Sequence, residues 1–285
     1  MAHQDSDPEE AMTQDEIHSQ DPPPPPKPSS STVRNAFTEL MTRKPKPTPP
    51  PQPPQISRGG NPFKDRMGLG AYLDDPASFP ASRVVAHNDA FVCINDRFPK
   101  ASIHTLLLPR DPAFNLQHPF DAFEDAEFLA SVRAEADKLK VLVAKELQRR
   151  FGVFSKRDAA LQAVLNGDAE PSADGQLPKG RDWSAEVVCG VHAVPSMRHL
   201  HVHVLSRDMH SETVRHRKHY NSFNTPFLVN LDDFPLPDGD PRRHTKEAGY
   251  LRYDLKCWRC GRNFGNQFQK LKSHLDEEFD KWKKE

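Results

Sequence analysis

The sequence has 285 residues, of which 36% are hydrophobic, and its formal net charge is −1. So low an apolar fraction excludes a chain that packs into a core along its whole length. No apolar run is long enough to cross a bilayer, and the acidic, polar start does not fit a signal peptide, so we expect a soluble intracellular protein. Cys93 and Cys189 lie in apolar stretches and indicate buried thiols, which agrees with a reducing compartment.

Residues 1–60 are predicted to form a disordered arm that is first acidic and then rich in proline. Half of the 28 prolines lie in the first 55 residues, and such a segment cannot bury enough apolar surface to offset the entropy of ordering. Residues 1–26 contain seven acidic residues and no lysine or arginine, so the rest carries 39 basic residues against 33 acidic ones. That mild basic excess suits a polyanionic partner.

Residues 61–236 have the pattern of a folded α+β domain with antiparallel strands. The stretches SRVVAHNDAFVCIND and SIHTLLLP predict two strands, joined by RFPKA, in which Pro99 interrupts regular pairing. Residues 155–181 predict a flexible insertion, after which AEVVCGVHAVPS returns to an extended pattern. Between them a long amphipathic helix is predicted from apolar residues at helical spacing, namely Phe128, Val132, Leu139 and Val143.

The stretch SMRHLHVHVLSRD, which starts at Ser196, places histidines on alternate positions between leucine and valine. Successive side chains of a strand point to opposite faces, so His199, His201 and His203 are predicted to share one face. A fourth histidine, His192, lies seven residues before the first. Two simpler interpretations are imidazoles satisfied by main-chain groups and a metal site of neutral imidazoles. The metal site is disfavoured because no carboxylate lies at a matching position on that strand.

Residues 237–285 predict a small, separable zinc module. Its C-x2-C-x13-H-x3-E spacing uses ligand types that Zn²⁺ accepts, and they are Cys257, Cys260, His274 and Glu278. An apolar helical stripe follows the cysteines, and a bound metal would supply the stability that so small a core lacks. For the fourth ligand the sequence leaves Glu278, the neighbouring Glu277 and water. A redox C-x-x-C is the alternative, but that motif needs a βαβ context that this segment lacks.

The motif His199-Leu-His201-Val-His203-Val-Leu resembles the signature of the histidine triad family of nucleotide hydrolases and transferases. The stretch FVCINDRFPKASIHTLLLPRD is similar to that family's nucleotide-binding strands. The blocks GVHAVPSMRHLHVHVLSRD, HYNSFNTPF and LKCWRCGRNFGNQFQKLKSHLDEEFDKW narrow the resemblance to members that process DNA ends. It extends from residue 61 to the C-terminus, outside the insertion. It implies a histidine triad domain with an antiparallel sheet and helices, followed by a C2HE-type zinc finger with structural Zn²⁺.

The resemblance also implies the reaction. The substrate would be DNA with a 5′-adenylate left by abortive ligation, and AMP would be a product, in single-strand break repair. His201 would form a covalent histidyl-AMP intermediate. His199 and His203 would flank the phosphate and fix the tautomer of His201. His192 would assist departure of the DNA 5′-phosphate. Asp96 would bond the ribose and Ser196 the phosphates, while Lys100 and His104 would flank the same pocket. The alternative is that Asp96 and Lys100 are ordinary turn residues.

A further group of residues is implied to hold DNA. Phe63 would stack on the terminal base pair, or it would only pack a helix onto the core. The segment RHRKHYNSF would grip the backbone through Arg215, His219 and Ser222, unless it is a solvated basic loop. Phosphate contacts from the zinc module, which would make binding salt-dependent, are implied for Arg259, Arg262, Lys270 and Lys272.

Other functions stay open on the sequence alone. A small-molecule histidine triad hydrolase would act on AMP phosphoramidates or dinucleoside polyphosphates, with the zinc module only stabilising it. A non-catalytic DNA-binding protein would use the triad merely to hold a nucleotide, although an intact His201 argues against this. The proline-rich arm could recruit a repair protein or act as a spacer. From the inferred substrate and the basic stretch RHRKH, we expect the protein to act in the nucleus.

Overall fold

A six-stranded sheet in the order β1-β2-β3-β5-β4-β6 forms the centre of the fold in a computed structural model that describes residues 66–285. The predicted arm at residues 1–60 and Phe63 lie outside the described residues. All five neighbouring pairs of strands are antiparallel, which confirms the predicted α+β class. The strands are β1 (Val84–His87), β2 (Phe91–Asn95), β3 (His104–Pro109), β4 (Val187–His192), β5 (Val202–Ser206) and β6 (Leu228–Asn230).

The first predicted strand is in fact a hairpin. The Asn88 side chain accepts hydrogen bonds from the main-chain nitrogens of Ala90 and Phe91, at 2.9 and 2.7 Å, and thereby closes a turn between β1 and β2. Asparagine favours such turns because its short side chain bonds the main chain two residues on. The prediction of one strand was wrong because apolar residues continue on both sides of the turn.

Helices cover the sheet and connect it to the C-terminal segment. They are α1 (Ala71–Asp74), α2 (Pro119–Ala122), α3 (Ala126–Phe151), α4 (Ala159–Leu165), α5 (Arg217–Asn224), α6 (Thr245–Ala248) and α7 (Phe268–Trp282). The predicted long helix is α3, which begins where the Asp125 side chain accepts a hydrogen bond from the Phe128 nitrogen at 2.8 Å. Its predicted apolar stripe is buried in the core against β4 and β5. Within residues 66–285, no helix combines the length and apolarity that a bilayer crossing requires.

The segment predicted as a flexible insertion, residues 155–181, is anchored at both ends. It contains α4, and its fully buried Asp158 accepts hydrogen bonds from the Arg181 nitrogen at 2.7 Å and from Trp183 Nε1 at 2.8 Å. The Arg181 guanidinium lies 4.3 Å from the Trp183 ring and 5.0 Å from the Trp282 ring. The flexible insertion stays a prediction for the residues between these ends, whose polar composition gave no sign of the buried carboxylate and its distant partners.

The C-terminal module, predicted to begin at residue 237, shares a core with the preceding domain. On α7, Phe279 and Trp282 belong to the core beneath α3. The Tyr220 hydroxyl of α5 donates to the main-chain oxygen of Lys256 at 2.8 Å and accepts from the Trp258 nitrogen at 2.9 Å. The apolar stripe of α7 was correctly expected, but it packs on the neighbouring domain as well as on its own module.

Candidate active site

One cleft gathers four histidines from neighbouring strands. His104 begins β3, His192 ends β4, His203 lies in β5, and His201 directly precedes β5. Apolar side chains, among them Leu69, Ile94 and Leu106, line the cleft together with these rings, as is usual for small-molecule sites. Four residues predicted for the nucleotide or the DNA backbone also line it, namely Asp96, Lys100, Ser196 and Ser222.

Of the three motif histidines, His201 and His203 line the cleft, whereas His199 lies beside it. Strand β5 pairs with β3 only as far back as Val202, and before that point the chain turns away, with the Leu200 nitrogen bonded to the Asn115 oxygen at 2.8 Å. The His199 ring lies outside the cleft, against Gly70, where an added Cβ would approach its Cε1 to 2.8 Å. The structure thus brings two of the three predicted triad residues together, and the alternation in the sequence extends beyond the end of strand pairing.

The His201 ring is held in one tautomer by the main chain. Its Nδ1 lies 2.7 Å from the His199 carbonyl oxygen, which can only accept, so Nδ1 carries the proton and donates. Nε2 therefore has a free lone pair. Burial lowers the pKa of His201, while its bond to the carbonyl acts in the opposite sense. The main-chain oxygen of His199, rather than the predicted side chains of His199 and His203, thus fixes the tautomer.

A second hydrogen-bonded series runs from the β2–β3 loop to β5. The Lys100 nitrogen donates to His104 Nδ1 at 3.1 Å, and His104 Nε2 lies 2.9 Å from His203 Nδ1. Asp96 Oδ2 is 3.5 Å from the same His104 nitrogen. Burial lowers the pKa of His104 to about 4, although Asp96 acts in the opposite sense. Both rings of this pair are therefore neutral near pH 7, since burial also holds the pKa of His203 well below 6.5.

Several buried ring nitrogens of the cleft lack a hydrogen-bond partner among the described residues. Neither ring nitrogen of His192, nor Nε2 of His203, has a hydrogen-bond partner of normal geometry among residues 66–285. The two rings lie 4.4 Å apart, centre to centre. Burial and the neighbouring histidines hold the pKa of His192 well below 6.5, with a weak opposing effect from the main chain of Ser222. Leaving such groups unsatisfied costs free energy, so they favour a ligand that offers several oxygens.

Sequence reasoning missed Phe223, which forms one wall of the cleft. Its ring centre lies 4.7 Å from that of His192, 5.1 Å from His203 and 5.3 Å from His104. The residue stands within the quoted block HYNSFNTPF, so the signal was present, but an aromatic residue on a short helix is more often a core residue. Its contacts with three histidines exclude water from their faces and contribute to their low pKa values.

The predicted DNA-backbone residues on and before α5 are divided in their surroundings. Arg215 is exposed, and its main-chain nitrogen donates to His219 Nδ1 at 3.2 Å. His219 is buried outside the cleft, whereas Ser222 lines the cleft and donates from Oγ to the His219 oxygen at 3.2 Å. These three residues are thus close together, but only Arg215 presents an exposed side chain.

A second cluster has the donor set of a zinc centre. Ligand atoms of Cys257, Cys260 and His274 all lie within 4.8 Å of one another, and Cys260 Sγ is 3.1 Å from His274 Nε2. Glu278 lies one turn after His274 on α7, with Oε1 at 4.0 Å from His274 Nε2. Glu277 approaches the other ring nitrogen at 4.0 Å, but its side chain is 70% exposed. Two thiolates and an imidazole fit Zn²⁺, and a carboxylate can complete its tetrahedron.

Two of the four basic residues predicted to bind phosphates from the zinc module are engaged within the protein. Arg259 pairs with Glu278 at 2.5 Å and also with Glu285. Lys272 donates from Nζ to the main-chain oxygen of Ser211. The other two, Arg262 and Lys270, are exposed.

Comparisons with known proteins agree with both parts of the chain. A family model of the HIT domain matches residues 80–210, and a model of the C2HE / C2H2 / C2HC zinc-binding finger matches residues 224–281. The aprataxin-like protein of Saccharomyces cerevisiae is 36% identical over 222 residues, which is 75% of this chain and 96% of that relative. The aprataxin-like protein of Schizosaccharomyces pombe is 32% identical over 251 residues, covering 88% and 95% of the two chains. The chain belongs to the aprataxin family.

Solved structures of the same family share this fold. The crystal structure of the aprataxin ortholog Hnt3 in complex with DNA has a TM-score of 0.58 and 29% identity, covering 76% of this chain and 96% of that one. Hnt3 in complex with DNA and guanosine has a TM-score of 0.58 and 30% identity, with the same coverage. The finger model begins at residue 224, before the predicted boundary of 237, as expected if an aprataxin finger shares a core with α5.

Proposed function

We propose that this chain removes AMP from adenylated 5′ ends of DNA by hydrolysing the phosphoric anhydride bond between AMP and the DNA 5′-phosphate. The main support is the His201 ring, whose Nδ1 donates to a carbonyl while its Nε2 offers a lone pair. The same cleft contains ring nitrogens of His192 and His203 that have no hydrogen-bond partner among residues 66–285. Membership of the aprataxin family and the solved complexes of Hnt3 with DNA and with guanosine support the same substrate class.

In the proposed reaction, His201 Nε2 attacks the adenylate phosphorus. A nitrogen–phosphorus bond forms, the bridging phosphorus–oxygen bond breaks, and its electron pair leaves with the DNA 5′-phosphate. Water then attacks the phosphorus of the histidyl-AMP and gives up one proton to the solvent. The phosphorus–nitrogen bond breaks with its electron pair returning to Nε2, which releases AMP and restores neutral His201. Because burial lowers the pKa of His201, the ring is unprotonated and ready to attack at neutral pH.

The proposed roles of the neighbouring residues follow from their positions. His192 and His203 both line the cleft with His201, so their nitrogens can bond phosphate oxygens as negative charge builds. Asp96 and Lys100 line the same cleft beside His104, and Asp96 would bind ribose there. The DNA phosphate is already a good leaving group, so His192 need only stabilise its charge.

The zinc module would support the DNA. Zn²⁺ would supply a structural crosslink held by Cys257, Cys260 and His274. Glu278 would be the fourth ligand, because its side chain is buried one turn after His274 whereas that of Glu277 is 70% exposed. The exposed Arg262 and Lys270 would contact phosphates without reading bases. With DNA as the substrate, we also propose the nucleus as the place of action.

Single-turnover release of AMP from a nicked duplex with a 5′-adenylate tests this proposal. We expect His201→Ala to lower the rate by about 1,000-fold or more, because no other ring offers a fixed lone pair in its place. The exposed His87 provides a matched control, and His87→Ala should leave the rate unchanged. Quenching with an alkaline denaturant, in which a histidine phosphorus–nitrogen bond survives, should trap AMP on the wild-type protein at residue 201.

The outcomes separate the competing functions. Slow release from DNA together with rapid hydrolysis of a small AMP conjugate would indicate a general histidine triad hydrolase. Tight DNA binding without release of AMP from either substrate would indicate a non-catalytic binding protein.

A further inference from the structure

We infer that His104, which lies outside the triad motif, is a positioning residue that fixes the tautomer of His203 and so directs an N–H group into the cleft. This inference rests on the proposed function, because it assigns a role within the same site. It depends on the donor and acceptor roles of four atoms in a short hydrogen-bonded series.

The series begins at a main-chain group whose role cannot change. The Lys100 nitrogen is a donor, so His104 Nδ1, 3.1 Å away, must accept. A neutral His104 therefore carries its proton on Nε2. Asp96 Oδ2, at 3.5 Å from Nε2, can only accept when ionised, so it favours the same tautomer.

The tautomer of His104 in turn determines the tautomer of His203. His104 Nε2–H lies 2.9 Å from His203 Nδ1, which must then accept, so the proton of His203 is on Nε2. That Nε2 atom is buried and has no hydrogen-bond partner among residues 66–285. His203 lines the cleft, so an oxygen of a bound phosphate is the partner that this N–H group fits.

The two neighbouring rings consequently hold opposite tautomers. His201 has its proton on Nδ1 and a lone pair on Nε2, whereas His203 has a lone pair on Nδ1 and its proton on Nε2. One nitrogen can attack phosphorus while the other donates to an oxygen of the same group. Each tautomer depends on a main-chain group, the His199 carbonyl in one case and the Lys100 N–H in the other.

The opposite tautomer of His203 would work against the reaction. Its Nε2 lone pair would then face the phosphate oxygens, and lone pairs at hydrogen-bond distance repel each other. His203 Nδ1–H would also meet a donor at His104. The role of His104 is thus to exclude this arrangement, and it needs no contact with the substrate.

Nitrogen-15 NMR of the imidazoles in the free protein tests the inference directly. In the wild type at pH 7.5, we expect His203 to show a protonated Nε2 and an unprotonated Nδ1. His104→Gln and His104→Glu are a matched pair, because the amide nitrogen of glutamine can donate to His203 whereas an ionised carboxylate can only accept. His104→Gln should keep the wild-type tautomer, and His104→Glu should place a proton on His203 Nδ1.

The same pair should differ in catalysis. We expect His104→Gln to release AMP within about threefold of the wild-type rate, and His104→Glu to lower kcat roughly tenfold or more with a smaller change in KM. A purely structural role would lower both variants in proportion to their loss of stability, so thermal unfolding is measured for each. If His104→Glu does not fold, His104→Met, which lacks a donor, replaces it and should show mixed His203 tautomers.

Two results would overturn the inference. The first is a wild-type His203 with its proton on Nδ1, and the second is equal kcat values for the glutamine and glutamate variants when both are folded. The spectra need no substrate, so failure of the DNA deadenylase proposal would leave the tautomer prediction separately testable. Release of AMP from DNA with the wrong His203 tautomer would refute this inference alone.

Discussion

Among residues 66–285, two clusters have the spacing of a metal site, but their protons are placed differently. In each, the potential ligand atoms lie within 4.8 Å of one another, and the clusters are Asp96, His104 and His203 in the cleft and Cys257, Cys260 and His274 in the zinc module. In the cleft, hydrogen bonds that begin at a main-chain N–H connect the rings. In the module, two thiols face an imidazole, and deprotonated thiols are strong zinc ligands.

The different hydrogen bonding of the two clusters shows that the spacing of ligand atoms alone does not define a metal site. A neutral imidazole whose ring nitrogens already donate and accept can bind a metal only by losing those hydrogen bonds. The sheet positions the cleft histidines without a metal, because three of the four lie in hydrogen-bonded strands. The module has only one isolated bridge, between Lys256 and Asn263, and one long helix, so the metal supplies a connection that its backbone lacks.

Metal removal should have the largest effect, and it tests whether only the module binds a metal. We expect one zinc per chain and, on chelation or in Cys260→Ser, a loss of about 10 kcal/mol of metal-coupled folding free energy from the module. Metal analysis and unfolding followed by tryptophan fluorescence measure both. Cys93→Ser changes a buried thiol outside the module and should keep its zinc. Two zinc ions per chain would show that the cleft cluster also binds metal.

A smaller effect is expected where the module meets the domain. The Arg181 side chain donates to the Trp282 oxygen at 2.6 Å and to Glu186 at 2.8 Å, and it is almost fully buried. Arg181→Met leaves Glu186 without this partner and should cost about 3 kcal/mol in the free energy of unfolding, measured in urea. Arg181→Lys keeps the charge but not the forked geometry, so its loss should be intermediate.

Arg181→Met tests the interface between the module and the domain separately from zinc binding. If Arg181→Met lowers stability but leaves the zinc affinity unchanged, the module is held by two independent means. An unchanged free energy of unfolding in Arg181→Met would instead show that packing between Trp183 and Trp282 suffices.

The protonation of the cleft gives a prediction of about 1.4 kcal/mol per pH unit. The pKa of His104 is about 4 in the folded protein and about 6.5 in an unfolded chain, so the unfolded state binds more protons between these values. Stability therefore falls as the pH drops from 6.5 towards 4. His104→Gln removes this titration and should weaken the dependence by up to that slope in urea unfolding at successive pH values.

Acid also releases zinc, but this contribution is common to wild type and variant and cancels in their difference. Equal pH dependence in the two proteins would mean that folding does not lower the pKa of His104, so that its ring is charged in the folded protein below about pH 6.5. The cleft would then lack the neutral series of histidines that distinguishes it from the zinc module.

Sequence patterns predicted the parts of this molecule that depend on local periodicity or fixed spacing. The stripe of α3 and the cysteine and histidine spacing of the module are of this kind, because neighbours along one element determine both. Features set by distant partners were missed. Asp158 is buried by residues over 20 positions away, and the chain leaves the strand before Val202 because pairing with β3 ends.

Lys270 and Lys272 show the same limit within one helix. Both appeared to be phosphate contacts, since the sequence gives only their charge and their place on α7. In the structure, Lys270 is exposed, whereas Lys272 donates to the main-chain oxygen of Ser211. Ser211 and Thr213 in turn both donate to the Pro99 oxygen, next to the cleft residue Lys100. Lys272 thus connects the module to the loop that carries the nucleotide residues.

The smallest predicted effect distinguishes these two lysines. Lys270→Met should weaken DNA binding and reduce the slope of log K against log salt by about one, because one phosphate contact is lost. Lys272→Met should leave that slope unchanged, since its charge already serves Ser211. Fluorescence anisotropy with a nicked duplex between 50 and 200 mM salt, a range over which such contacts respond strongly, measures both. A reduced salt slope in Lys272→Met would show that Lys272 leaves the Ser211 oxygen to contact a DNA phosphate. DNA binding to the module would then alter the loop that contains Lys100, beside the cleft.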